Sequence, residues 1–268
     1  MKKIIALISF VSLFPTLSTF AADSGVIVNL FDWTWNDVGM ECEKVLGPNG
    51  IEMVQVAPPQ EHVMIASSPW YDRYQPVSYN LNSRGGTEQE FAQMIAKCNA
   101  SGVKVIVDAI INHMASSPPE KEVRVGSSGS KYTYYHFPDY LPEHFHSFKR
   151  EITDWQSRED IQFGNLAGCA DLDTANPYVQ DKLGGYLQKL LDLGVTGFRI
   201  DAAKHIPVED LAEIYSHLKK RAFIYHEIAD FKDGPIAQEE YYFLGYVTEF
   251  KYTKVLAQNF LNGKISNL

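Results

Sequence analysis

A chain of 268 residues with 45% hydrophobic and 21% charged side chains has ample material for a buried core, which excludes a disordered tail or a fibrous repeat. Its 33 acidic against 24 basic residues give a formal charge of −9, so nothing draws it electrostatically to nucleic acid or anionic lipid. No nucleic-acid partner and no membrane are expected. At the N-terminus, Lys2 and Lys3 precede an apolar run from Ile4 to Leu17, and Thr19-Phe20-Ala21 offers a small-x-small cleavage site. Residues 1–21 therefore read as a secretory signal peptide, and the mature protein is expected to be secreted and extracellular. The apolar run is short for a membrane span of roughly 20 residues. Export permits disulfides, and Cys42, Cys98 and Cys169 leave at least one thiol over, without the sequence choosing the pair.

Past the leader, short apolar runs alternate with helical patterns. Val26–Phe31 and Met53–Val56 read as buried strands. Thr87-Glu88-Gln89-Glu90 is a capping box that opens a helix running to about Ala100. A third strand, Val103–Asp108, follows. From about Ala115 to Ala170 the rhythm breaks, with Pro118-Pro119, a Gly126–Gly129 turn and many aromatics and histidines. A structureless loop that long is improbable in a compact domain, so it reads as an inserted subdomain. His136, His144 and His146 inside it read as exposed loop histidines in preference to a metal site. Asn176-Pro177 supplies an N-cap and an N1 proline, and Val179, Leu183, Leu187, Leu190 and Leu191 form one apolar stripe before Gly194. Three more strands follow: Gly197–Asp201, Phe223–Glu227 and Tyr246–Phe250. This alternation implies a parallel sheet covered by helices.

Several strands end in polar residues where a buried run should simply turn. Asp108 closes the third, with Asn112-His113 just beyond; Arg199 and Asp201 share one face of the fourth; Lys204-His205 follow, and Glu227 ends the fifth. In a parallel barrel, such residues line the face that carries active sites. Asp201 and Glu227 make the carboxylate pair that glycoside hydrolysis requires, one to attack the anomeric carbon and one to protonate the leaving oxygen. Arg199 is expected to hold Asp201 ionised by Coulomb attraction.

Three segments, Asp108-Ala-Ile-Ile-Asn112-His113, Gly197-Phe-Arg199-Ile-Asp201-Ala-Ala-Lys204-His205 and Glu227, resemble in order and spacing the first three conserved regions of the α-amylase family. The resemblance is greatest to the chloride-dependent, animal-type members. Trp70–Tyr79, Ala170–Asp173 and Val247–Tyr252 support it, and it runs from about Val26 to Tyr252. It implies endo-acting, retaining hydrolysis of α-1,4-glucosidic bonds in starch, glycogen and maltooligosaccharides by a monomer. Asp201 is then the nucleophile and Glu227 the general acid/base. His113, Arg199, Lys204 and His205 would lie on the substrate or beside the cleaved bond. Trp70, Tyr71 and Tyr74 would form a stacking platform with Gln75 as a hydrogen-bond donor, Tyr71 standing where the family usually has tryptophan. The family's Ca2+ would be held by Asn112, Gln162, Asp171 and the backbone carbonyl of His205, all oxygen donors. Cl− would sit against Arg199, and Cys42 would pair with Cys98, leaving Cys169 free.

The implied fold is α/β, a (β/α)8 TIM-barrel type that is incomplete. It has about six strands and an inserted subdomain after the third. The expected boundaries are the barrel's first part at 22–114, the insertion at 115–170 and the barrel's second part at 171–268. The family's fourth region, ending in Asn-His-Asp with a third carboxylate and a further chloride ligand, does not follow Phe250. The chain is accordingly expected to be a fragment of a longer product and weakly active by itself. Two alternatives remain at this stage: a glucan transferase of the same family, and a catalytically impaired glucan-binding fragment.

Overall fold

The computed structural model describes residues 25–116, 122–133, 135–230, 234–261, 263 and 266, so the leader expected at 1–21 lies outside the described residues. In chain order, β1 (Ile27–Leu30) leads to α1 (Trp35–Glu41), and β2 (Met53–Val56) to α2 (Glu88–Ala100) and β3 (Lys104–Ala109). The excursion that follows holds β4 (His113–Ser116), β5 (Arg124–Val125), β6 (Lys131–Tyr132), α3 (Arg158–Phe163) and β7 (Cys169–Asp171). The alternation resumes with α4 (Pro177–Asp192), β8 (Gly197–Ile200), α5 (Val208–Ser216), β9 (Phe223–His226), β10 (Tyr246–Val247) and α6 (Lys251–Leu261).

All six runs read as strands join one sheet in the order β1-β2-β3-β8-β9-β10, and every neighbouring pair is parallel. The sheet curls into a half-barrel, the incomplete (β/α)8 arrangement that the sequence implied. Burial is lower at the outer strands of this sheet: β2 is buried throughout, whereas Asn29 of β1 and Tyr246 of β10 are exposed. The pleat sorts the side chains. In β9, His226 turns outward to Tyr215 of α5, its Nε2 lying 2.9 Å from the phenol oxygen. Phe223 and Tyr225 therefore face the inside of the curl. There Tyr225 stands in register with Arg199 and Asp108, and its hydroxyl donates to Gln55 Oε1. Strand spacing at this point requires glycine, because a Cβ at Gly197 would lie 2.0 Å from the Phe223 carbonyl oxygen.

The helices follow their sequence signals. Thr87 and Glu90 form the reciprocal capping box on α2, and Asn176 caps α4 ahead of Pro177. The α4 stripe of Val179, Leu183, Leu187, Leu190 and Leu191 is fully buried, each side chain contributing roughly 1.5–3 kcal/mol of transfer free energy. Cys42 and Cys98 are joined in a disulfide that ties the segment after α1 to α2, and Cys169 is a free, buried thiol.

The excursion has a small core of its own. β4 pairs with β7 and β5 with β6, both antiparallel. Tyr135 packs edge-on against Phe145 at 5.0 Å, and Phe137 stacks on Tyr132 at 5.5 Å. Its hairpin turn is fastened to the barrel by Glu61, whose Oε1 accepts the Ser128 and Ser130 amides at 2.9 Å each. The histidine expectation needs correction. His136 is exposed, but His144 stacks on Tyr178 at 4.5 Å and the His146 side chain is only 12% exposed. Packing on Tyr178 of α4 and, within the insert, on Phe163 of α3, invisible in local polarity, half-buries them. No helix among the described residues is long and apolar enough to cross a membrane.

Candidate active site

The parallel ladder brings three carboxylates to one guanidinium. It continues one residue past the assigned strands: Asp201 N–H donates to the Ala109 carbonyl and Glu227 N–H to that of Ile200, both at 3.0 Å. By the two-residue period of a strand, Asp201 shares a face with Arg199, and Glu227 with Tyr225. Arg199 Nη1 donates to Asp108 Oδ1 and, at 3.0 Å, to Asp201 Oδ1, while Nη2 lies 2.7 Å from Glu227 Oε1. The second Glu227 oxygen accepts the Ala202 amide at 3.0 Å. Ala202 holds a left-handed φ of 49°, which costs of order 1–2 kcal/mol in a residue with a Cβ. Side-chain exposure rises from 1% at Asp108 through 11% at Asp201 to 29% at Glu227, so Glu227 alone of the three meets solvent freely.

One positive charge is shared among three negative ones, so the pull of Arg199 towards an ionised Asp201 is opposed by burial and by the other carboxylates. Burial, and next the Asp108 charge, raise the Asp201 pKa to about 8 against the opposing pull of Arg199. Asp108 is raised as well, chiefly by burial. Burial disfavours the Arg199 charge, but the surrounding carboxylates outweigh it and hold the guanidinium protonated. Asp108, which the sequence marked only as a strand end, is the hub: its Oδ2 also accepts the Tyr74 hydroxyl at 2.8 Å.

Beside this cluster lies the aromatic platform. Trp70 and Tyr71 are 57% and 46% exposed, so neither is core packing. Trp70 meets Tyr71 and Tyr74 edge-on, at 5.7 Å in both cases, and Phe31 from the end of β1 extends the group at 6.0 Å from Trp70. The loop carrying it is anchored from behind by Asp32, which binds Arg73 and Arg84 at 2.8 Å each, and by Asp72, which binds Arg84 at 2.8 Å.

Other expected substrate residues already have protein partners. Gln75 Oε1 accepts from Ser116 N at 3.1 Å and Oγ at 2.6 Å. His113 is buried; its Nε2 donates to the Tyr74 carbonyl at 3.0 Å and its Nδ1 lies 3.2 Å from Asn112 Nδ2. Lys204 Nζ donates to the Ala229 carbonyl at 2.8 Å, and His205 Nδ1 to that of Ile161 at 2.8 Å. Trp155, an exposed indole from the insert set edge-on to His205 at 6.0 Å, was missed by sequence reasoning. The one available signal was an aromatic flanked by polar residues.

The expected cation ligands meet at the seam between insert and barrel. Asn112 Nδ2 lies 3.2 Å from Asp171 Oδ1, and the His205–Ile161 hydrogen bond brings the His205 segment to α3, which carries Gln162. The Gln162 side chain hydrogen-bonds Tyr241. Burial raises Asp171 to about 7, with His146 and then Asn112 opposing. Among the described residues no group of three or more His, Cys, Asp or Glu side chains could hold a metal. The carboxylate of Asp171 and the side-chain amides of Asn112 and Gln162 are the kinds of donor that suit a hard, oxygen-seeking cation. Arg199, the residue expected against chloride, directs three of its five N–H donors at carboxylates.

Comparison with known proteins agrees with this geometry. The "Alpha-amylase" of Thermomonospora curvata is 44% identical over 263 residues, covering 92% of this chain and 43% of its own length. An "Alpha-amylase-related protein" of Drosophila ananassae is 42% identical, covering 87% of this chain and 50% of its own. Among solved structures, alpha-amylase I of Eisenia fetida superposes with a TM-score of 0.80 at 36% identity, over 85% of this chain and 49% of that one. The chain thus spans about half the length of the relatives it matches. A family model for the alpha-amylase catalytic domain matches residues 66–254, from the aromatic platform through all three carboxylates, and the chain belongs to that family.

Proposed function

We propose that this chain carries the nucleophile and the proton donor of a retaining α-1,4-glucan hydrolase acting on starch and maltooligosaccharides. The observation that carries the reading is the convergence of Asp108, Asp201 and Glu227 on Arg199 beside an exposed aromatic platform. Sugar faces stack on individual rings of the platform, Trp70 and Tyr71 being the exposed ones, as apolar ring faces favour. A carboxylate oxygen of Asp201 attacks the anomeric carbon while the bond to the leaving oxygen breaks, and that oxygen takes the proton of Glu227. Glu227, now a carboxylate in contact with solvent, removes a proton from water. The water oxygen then displaces Asp201, and two inversions give net retention. Arg199 neutralises part of the charge on Asp201 and Glu227 and keeps both aimed inward. An Eisenia fetida relative solved with maltohexaose supports the substrate class.

Calcium, when bound, would supply a structural cross-link between insert and barrel through Asn112, Gln162, Asp171 and the backbone carbonyl of His205. Secretion, read from residues 1–21, is part of the same proposal.

The test is to trap the intermediate. A 5-fluoro-α-glucosyl fluoride incubated with the full chain should leave a glycosyl mass on the peptide containing Asp201. A label on another carboxylate, or inversion of the product anomer seen by proton NMR, would overturn the mechanism.

A further inference from the structure

Trp70 and Tyr71 owe little of their position to packing. They are 57% and 46% exposed, and Trp70 meets Tyr71 and Tyr74 only edge-on. Where these rings stand is therefore set by the backbone of the short 3-10 helix Trp70–Tyr74 that carries them. The trailing end of that helix is fixed to the barrel: the Arg73 carbonyl accepts the Gln60 side-chain amide at 3.0 Å, and the Tyr74 hydroxyl donates to Asp108 at 2.8 Å. Its leading end is entered through Ser68, whose left-handed φ of 45° is a conformation that local sterics disfavour in a residue with a Cβ. That end needs a hold from outside.

Arg84 supplies it. Its Nη1 divides its hydrogens among the Ser68 carbonyl at 3.0 Å, the Pro69 carbonyl at 3.2 Å and Asp72 Oδ2 at 2.8 Å. Its Nη2 donates to both oxygens of Asp32, at 2.9 and 2.8 Å. Asp32 and Phe31 directly follow β1, and the Phe31 ring lies 6.0 Å from Trp70 and 6.4 Å from Tyr74. The turn presenting Arg84 is closed by the Ser83 and Gly86 amides, each donating to the other's carbonyl at 3.0 Å, and the Arg84 N–H donates to His62 Nε2 at 3.0 Å. Glycine is required beside it, since a Cβ at Gly85 would lie 2.5 Å from the Trp35 ring and 2.6 Å from Arg73 Nη2.

We propose that Arg84 is a positioning residue for sugar stacking. By bonding the leading end of the platform helix through Nη1 and the segment after β1 through Nη2, it sets where Trp70 and Tyr71 stand relative to the carboxylate cluster, without touching sugar itself. The planar fork does this and not the charge alone, because the two sets of acceptors lie on different nitrogens and a lysine ammonium is a single point. This rests on the glucan reading above and deepens it by naming what holds the stacking surface in place.

The test labels the full chain with 5-fluorotryptophan in a Glu227→Gln background, so that maltohexaose binds without being cleaved. Arg84→Lys and Arg84→Ala are then compared with this parent by fluorine-19 NMR. Loss of a signal in Trp70→Phe and in Trp155→Phe assigns the two rings, and Trp155, on the insert, is the control. In both Arg84 variants the Trp70 signal should move towards that of free fluorotryptophan while the Trp155 signal stays put. Maltohexaose should bind roughly threefold to tenfold more weakly, the worth of one ring contact. Guanidinium chloride far below denaturing strength should return both readings of the Ala variant towards the parent, and the same concentration of NaCl should not. Arg84→Lys keeps the charge and the stem, so it serves should the Ala variant fail to fold. An unmoved Trp70 signal, equal movement at Trp155, undiminished maltohexaose affinity or no rescue by guanidinium would each overturn the inference. A parent that binds no maltohexaose would overturn the glucan reading and with it the sugar part of this inference, while the Trp70 signal would still decide whether Arg84 holds the ring.

Discussion

Asp160 in the insert and Asp201 in the cleft are the same side chain in opposite circumstances. Asp160 sits at the start of α3, accepts the Thr153 and Asp154 amides at 2.7 Å each and pairs with Arg150. The Arg150 contact first, then those amides, hold its pKa well below the usual carboxylate range. Asp201 has a cation too, but it shares Arg199 with Asp108 and Glu227, and burial lifts it to about 8. What differs is the number of donors per negative charge. A surplus makes a structural anchor; a deficit makes a group that gains by sharing its charge with a substrate, which is where strongly shifted carboxylates gather.

Substituting the frustrated carboxylate should have the largest effect. Asp201→Asn is expected to lower hydrolysis of a maltooligosaccharide by about 10⁴-fold or more, since no nucleophile remains. The same change should stabilise the fold. A carboxyl group with a raised folded pKa favours the native state while protonated, and that advantage is lost as pH climbs from about 4 towards 8. The melting temperature of the Asn variant should therefore exceed that of the parent increasingly over that interval. A constant difference would mean that Asp201 is not frustrated.

Removing the shared cation comes next. Arg199→Met leaves buried carboxylates uncompensated, and urea unfolding at pH 7 should show a loss of roughly 3–5 kcal/mol. An unchanged midpoint would remove the premise that one guanidinium holds the cluster together. The smallest effect belongs to the anchor. Asp160→Asn should lower the melting temperature at neutral pH, and the difference should fade as acid protonates the parent below its depressed pKa. Kinetics on a maltooligosaccharide should be unaltered; a fall in kcat would join the two regions that the contrast separates.

Local pattern made part of this legible. The strand positions follow from short apolar runs, and Thr87 with Glu90 marks the start of α2 to the residue. The two-residue spacing from Arg199 to Asp201 puts both on one face, and the structure joins them at 3.0 Å. Other features depend on long-range packing that no local pattern encodes. His146 is polar and lies among polar residues, yet Phe163 and Asp171 enclose it. Gln75 and His113 match substrate-binding positions, but Ser116, Asn112 and the Tyr74 carbonyl engage their polar atoms. The competition around Asp201 is hidden from local pattern for a related reason. Arg199 is adjacent in sequence, whereas the competing Asp108 is 93 positions away in the numbering and meets it only across the folded sheet.

The bond between Cys42 and Cys98 spans 56 positions, and that interval contains β2 and the whole Trp70–Gln75 platform. The covalent topology is thus a closed ring with two tails. A single proteolytic nick inside the ring leaves one molecule, with the aromatic platform still tethered to both flanking strands. A nick in the insert instead severs Asp108 from Asp201 and Glu227, leaving only noncovalent packing to hold them together. Limited digestion of this chain would therefore have consequences set by which side of Cys98 is cut.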